Sequence, residues 1–433
     1  MGRLISLLAW GAMAVCGVAV AAPLPDPLTL KAALALADAP HPELRSAAAD
    51  VASARAGVEA AQAATGLNVG LEGRLRWIDP PALSPIQSHD DNMASLYVRK
   101  DLYDFGRSRA SEAAATAALD SRRLAYLDVR AERRIEIMAR FFDVLLADQI
   151  ASRDNEAMAV AYVSLDKLRH RQDLGQASDL DVLKLTSEYQ KVRLRYVAAE
   201  AHQRAARSAL AIALGRPDDL PSDLTSPTLP ALKRKIPGYD LLLKQVLADN
   251  PHLRSLRAAV TSAREQVAAA DAGHRPLLSG EMEGAYYSRK LGSNDRWRAG
   301  VVLQIPLYSG GTVNSAVAKR QAALAKARAR LDQARLELRQ RVLELWQKLH
   351  LLGAQKAEVR AQENYRELYL DHSRAVYQME LTTDLGDAMV QLSAAQLAAQ
   401  RRDYRTALAW AKLDALRGRM PGSAAKGESD ETQ

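Results

Sequence analysis

Chemistry needs convergent side chains, and the titratable residues of this chain do not converge in sequence. The eight histidines, at 41, 89, 170, 202, 252, 274, 350 and 372, form no His-x-x-x-His or His-x-x-Glu pair. No phosphate-binding glycine loop, Gly-x-Ser-x-Gly elbow or paired-carboxylate pattern occurs. The sequence therefore reads as having no catalytic residues, no cofactor and no metal centre. Cys16 is the only cysteine, which leaves no disulfide framework and no thiolate site. One short constellation has a physical role. In "LGQASDLDVL", residues 174–183, Gly175 suits a reversal and Ser178-x-x-Asp181 suits a helix start. The serine would cap backbone N–H groups, and the acid would meet the positive end of the helix dipole.

The 433 residues carry a formal net charge of +8, with basic and acidic residues intermixed along the chain. Dispersed charge of this kind excludes a nucleic-acid footprint. A mean hydropathy of −0.22 excludes a multi-span helical membrane protein. The one long apolar run, Leu4 to Ala22, follows Arg3 and ends in Ala19-Val20-Ala21. That pattern reads as a secretory signal peptide over residues 1–21, with an uncleaved anchor as the other reading. Val15 and Met13 suit lipidation of Cys16 poorly.

The elements come in two sets. "DLYDFGRSRA" at 101–110 returns as "PLYSGGTVNSA" at 306–316, and Tyr103 and Gly106 correspond to Tyr308 and Gly311, 205 residues on. "HPELRS" at 41–46 returns as "NPHLRS" at 250–255, 209 residues on. A tandem duplication follows, with a period too long for a solenoid. The first repeat spans 22–214 and the second 238–418. Between them lies a proline-rich linker, 215–237, and a disordered tail is expected over 419–433. Each repeat reads as a short helix, a second helix, two strands, a very long helix, a tight turn and a last helix. From Arg107 to Leu174 there is neither glycine nor proline, and apolar residues recur at three-to-four spacing. The long helices are placed at about 107–174 and 311–379 and must project as rods, since an ordinary helix runs to about 11–12 residues.

Period-two alternation places strands at about 67–78, 94–104, 277–288 and 296–308. Val69, Leu71, Leu75 and Trp77 alternate with Asn68, Glu72, Arg74 and Arg76. Trp297, Ala299, Val301, Leu303, Ile305 and Leu307 alternate with Arg296, Arg298 and Gln304. A small soluble sheet would do this, and so would the staves of a membrane barrel with a polar lumen. Four strands cannot close such a barrel, which needs at least about eight, so the second reading requires several copies of the chain.

This ordered set resembles the TolC-type outer-membrane efflux proteins. "HPELRSA", "LYDFGRSRA", "LYSGGTVNSA" and "LGQASDLDVL" carry the resemblance, which covers about 28–418. It implies a mainly α chain with a small β part. Three copies would share a 12-stranded outer-membrane barrel, continued by an α-helical barrel through the periplasm. Gly106 and Gly311 would mark the strand-to-helix junctions. The resemblance also implies a gate at the periplasmic mouth, with Tyr377 bonded to Asp181. Glu380 and Thr382 stand where the family has glycine and arginine, so the arginine of that gate network is missing. The family's lumen acid falls on Gly386, flanked by Asp384 and Asp387, either of which could replace it as a ring around the axis.

The implied function is a passive exit duct for tripartite efflux or type I secretion. Its partners would be its own copies in a homotrimer, a periplasmic adaptor (membrane fusion) protein, an inner-membrane transporter and outer-membrane lipid. Two other readings stay open at this point: a periplasmic coiled-coil scaffold without a barrel, and an adaptor anchored by an uncleaved Leu4–Ala22. The cargo, whether drug, metal ion or polypeptide, is not written in the residues.

Overall fold

The computed structural model describes residues 24–289, 294–379 and 384–422. The expected signal peptide, Cys16, Glu380 and Thr382 lie outside the described residues. In chain order the elements are α1 (Leu30–Ala35), α2 (Pro42–Ala63), β1 (Asn68–Arg74), β2 (Met93–Tyr103), α3 (Arg107–Asp173) and α4 (Asp179–Ala213). The second half repeats them as α5 (Tyr239–Asp249), α6 (Pro251–Asp271), β3 (Leu277–Tyr287), β4 (Trp297–Gln304), α7 (Thr312–Gln378) and α8 (Leu385–Leu416).

α3 and α7 each have 67 residues. At about 1.5 Å rise per residue each is roughly 100 Å long. The shorter helices stack end to end to match them. α4 ends at Gly215, where an added Cβ would sit 3.7 Å from His41 at the start of α2. α8 ends at Gly418, where it would sit 3.1 Å from the Asp249 carbonyl, just before α6. Both glycines adopt positive φ (75° and 73°), the left-handed cap that a residue with a Cβ resists. The packing of α2 and α4 on α3, of α6 and α8 on α3, and of α7 on α6 and α8 gives one layer. Its order is α2/α4, α3, α6/α8, α7.

Two apolar clusters brace the middle of the layer, one per repeat. Leu28, Leu34 and Ala37 pack on Ile137, Phe141 and Leu210. Leu242 and Val246 pack on Leu338, Val342, Leu349 and Trp410. The linker is part of this belt. Leu224 pairs with Leu28, and Arg234 lies 4.2 Å over the Trp410 ring while bonding Asp414 at 2.7 and 3.1 Å. In the first belt, Arg130 holds Asp38 through two bonds of 2.6 and 2.7 Å.

The strands form one antiparallel sheet in the order β1-β2-β3-β4. β1 stops at Arg74, short of the expected 78, and Trp77 retains only an isolated bridge to Asp90. β4 stops at Gln304, short of 308: its partner Leu277 is the first residue of β3, and Pro306 beyond has no N–H to extend the ladder. Residues 419–422, at the start of the expected tail, are among the described residues, and the Pro421 carbonyl accepts a 2.8 Å bond from Arg134 Nε.

One tie across the layer is titratable. His252, in the first turn of α6, lies 3.4 Å from Asp128 on α3. Donating to the Asp128 carboxylate raises the His252 pKa, against the opposing effect of burial. A raised folded-state pKa adds stability that is full below the ordinary histidine value, near 6.5, and is lost as pH rises through the folded value. NMR titration of His252 should give a midpoint above that of a free histidine, and Asp128→Asn should bring it down. An unchanged midpoint in Asp128→Asn would contradict the assignment.

Candidate functional site

The sheet sorts its side chains by face. The register pairs Val69 with Val98 and Leu71 with Leu96, then Val98 with Met282 and Ala94 with Tyr286. It goes on to pair Met282 with Ala299 and Leu278 with Leu303. Most apolar residues of the four strands therefore share one face, with Lys100 at its end and Val302 on the other side. The other face carries Asn68, Arg99 and Glu281 in one row, and Gly70, Tyr97, Glu283 and Arg298 in the next. Arg99 bonds Glu281, and Arg298 bonds Glu283 at 2.5 Å, so this face is ionic and internally paired. Gly70 leaves the space that the Tyr97 ring fills: an added Cβ would lie 2.3 Å from Tyr97 Cζ. All eight residues of β4 are exposed.

Each strand pair passes to its long helix through two left-handed residues. In the second repeat these are Gly310 and Gly311, with φ of 60° and 81°. In the first they are Phe105 and Gly106, with φ of 55° and 97°. A phenylalanine there is strained. It is held by a 2.7 Å bond from Arg275 Nη1 to the Phe105 carbonyl, and by the Asp104 carboxylate, which accepts from the Gly106 and Ser108 amides at 3.1 and 2.6 Å. Sequence reasoning missed Arg275 and Phe105, although the alignment of Phe105 with Gly310 was a usable signal.

At the first tip, Gly175 reverses the chain at φ 71°, and the Gln176 amide bonds the Arg171 carbonyl at 2.8 Å. Ser178 Oγ accepts from the Asp181 amide at 3.2 Å and donates to Asp181 Oδ2 at 2.7 Å. This is the local cap that the serine–acid spacing implied. At the second end, Tyr377 lies in the last turn of α7 and is 60% exposed. Asp384 sits at the start of α8 without a side-chain capping bond. Asp387 Oδ2 accepts from Gln391 Nε2 at 2.5 Å.

The structure does not bring Tyr377 and Asp181 together within one chain. They lie on α7 and α4, at opposite edges of the layer, and no hydrogen bond joins them among the described residues. Gly386 faces α3 closely: an added Cβ would lie 2.7 Å from Val160 Cγ2. Among the described residues no group of His, Cys, Asp and Glu could hold a metal ion, and no helix is long and apolar enough to cross a membrane.

A two-faced sheet that runs directly into paired helical rods is the fold of outer-membrane exit channels. The chain belongs to the outer membrane efflux protein family, whose pattern it matches over residues 33–216 and 242–419. It is similar to outer membrane protein TolC of Salmonella enteritidis, 25% identical over 65% of this chain and 59% of that one. It is also similar to the alkaline protease secretion protein AprF of Pseudomonas aeruginosa, 28% identical over 54% of this chain and 50% of that one. The chain thus spans about half to three fifths of the length of these curated relatives. The crystal structure of outer membrane protein VceC from Vibrio cholerae shares the fold, with a TM-score of 0.73, covering 90% of this chain and 96% of that one at 19% identity.

The contact at Gly386 makes a prediction about restoring the family's acid. Gly386→Asp should not supply a free carboxylate. It should press on Val160 and lower stability by about 1–3 kcal/mol, the usual cost of overpacking. Thermal unfolding checks this; an unchanged midpoint would show that α8 moves freely away from α3.

Proposed function

We propose that three copies of this chain form a passive exit duct across the outer membrane and periplasm. The observation that carries the reading is the sheet. One face is mainly apolar on every strand, the other carries the ion pairs, and both edges are open. Backbone groups cannot stay unpaired in hydrocarbon, so a sheet of this kind must close with other copies. Three times four strands clears the minimum of about eight for a membrane barrel. The apolar face would meet outer-membrane lipid, and the ion pairs Arg99–Glu281 and Arg298–Glu283 would line the water-filled bore. The helical layers would continue the bore towards the inner membrane. A periplasmic adaptor protein and an inner-membrane transporter would deliver cargo and supply the energy. The match to AprF, named as a protease secretion protein, supports type I secretion as one use of the duct. The match to TolC supports the general exit-channel role.

The gate would lie at the periplasmic mouth. α7 and α4 form opposite edges of one layer, so in a ring of copies they would become neighbours. A Tyr377 hydroxyl donating to Asp181 of the next copy would then close the mouth, at about 1.5–3 kcal/mol per charge-assisted bond. Opening would be a switch between packed arrangements of the helices. Asp384 and Asp387, repeated by symmetry, would set a negative potential that favours cations at the entrance.

Two experiments follow. Val301→Arg places a cation on the apolar face of β4 and should block assembly, because a charge at bilayer depth costs roughly 2–4 kcal/mol. Gln304→Arg, on the other face, should assemble. Equal behaviour of the two variants in outer-membrane fractions would overturn the strand assignment. For the gate, Tyr377→Phe and Asp181→Ala should each raise single-channel conductance in planar bilayers, and the double variant should add little. Wild-type conductance in both single variants would leave Asp181 only its cap with Ser178, worth about 0.5–2 kcal/mol of helix stability.

A further inference from the structure

Beside the first belt cluster, a cavity of about 330 Å³ opens between α3, α4 and α8. Its floor is apolar. The buried Phe142 and Tyr404 rings stack at 4.6 Å, and Leu146, Ile150 and Leu408 lie beside them. Its rim is basic. Arg401 and Arg405 reach it from α8 and His202 from α4, against a single carboxylate, Asp143. A concave apolar surface with a few converging polar groups has the make-up of a small-molecule site.

The two arginines lack what other arginines of the chain have. Arg130, Arg207 and Arg234 each hold a carboxylate through two bonds. On the same turn of α8, Asp403 is taken by Arg402. Asp143 lies 4.0 Å from Arg140 on its own helix. Among the described residues Arg401 and Arg405 form no ion pair. Four positions apart, they are neighbours on one side of α8, where like charges cost stability. An anion held between them would offset that cost.

Helix packing does not require this arrangement. α3 corresponds to α7 at an offset of 205, as Gly106 does to Gly311, and α8 to α4 at an offset of 203, as the cap Gly418 does to Gly215. Phe142, Arg401 and Tyr404 then correspond to Gln347, Ala198 and Ala201. The counterpart helices are built without the two rings and without the guanidinium of Arg401.

The cavity also has a direction. Ile137 turns to the belt, where it meets Leu28 and Leu34. At about 3.6 residues per turn, Ala139 and Ile150 lie on the opposite side of α3. The belt thickens the layer on its own face and would fill the bore if it pointed inward. In a closed ring the belt therefore lies outside, and the cavity opens on the wall of the bore.

We propose that this cavity binds amphipathic organic anions. A carboxylate or sulfonate headgroup sits between Arg401 and Arg405, whose planar donor forks suit it. The apolar body lies on Leu146, Ile150 and Leu408. The inference rests on the proposed duct for the side on which the site opens, and every lining residue comes from one chain. It gives the bore a resting point that selects cargo by charge.

Calorimetric titration of the detergent-extracted protein with 2-naphthalenesulfonate tests this. One site per chain is expected, weakened by added salt. The neutral 2-naphthalenesulfonamide, of nearly the same shape, should bind the wild-type protein at least about tenfold more weakly, since it forgoes the charge-assisted bonds. Arg401→Gln combined with Arg405→Gln should lose the sulfonate affinity by a similar factor. Lys412→Gln, on α8 but outside the cavity, should not. No saturable binding, equal binding of sulfonate and sulfonamide, or an unchanged affinity in the double variant overturns the proposal. If the double variant does not fold, the comparison of the two ligands on the wild-type protein decides. A wild-type protein that binds the sulfonate as predicted but is a soluble single chain would keep the site and remove the duct.

Discussion

The outer ladder groups of β1 and β4 have no strand beside them in the sheet. Soluble proteins blunt such edges with charge, bulges or a covering helix. Here β4 is short, exposed on both faces and apolar on one. An unpaired edge beside an apolar face has no stable resting place in water or in lipid. The rest of the chain is arranged around that demand. The strands turn into helices at Phe105–Gly106 and Gly310–Gly311, and the same two edges continue downward as α2/α4 and α7. What leaves the strands unpaired also leaves those helices with open faces.

Stability is distributed unevenly along the rods. The middle is braced by the belt clusters, the Arg234–Trp410 contact and the Arg130–Asp38 pair. Towards the tips the α3–α8 contact becomes polar and small, with Gln149–Gln400, Ser393–Glu156 and Gly386 on Val160. Few buried apolar contacts mean that local rearrangement costs less there. The proposed duct, opening at one end and sealed against the membrane at the other, would use that gradient.

Much of this was legible in the sequence, for physical reasons. A long span without glycine or proline marks α3, and the three-to-four apolar spacing carries α7 through Gly353. Alternation fixes which strand residues share a face. The duplication fixes the order of elements. Strand ends were less legible, because Pro306 removes a donor that alternation alone does not count. The junction was half legible: glycine announces a left-handed turn, but Phe105 adopts one only because Arg275, distant in sequence, holds its carbonyl. Gly386 could be aligned with a family acid, yet whether its position faces open space or Val160 depends on how α8 lies against α3. The relation of Tyr377 to Asp181 depends on which helices form the edges of the layer, and no local pattern carries that.

The central claim is that copies of this chain share one membrane barrel. Native mass spectrometry of the protein, extracted from outer-membrane fractions in mild detergent, tests it most directly. The account predicts a complex of three chains that needs detergent to remain in solution. A single chain, recovered in the soluble fraction and stable without detergent, would contradict it.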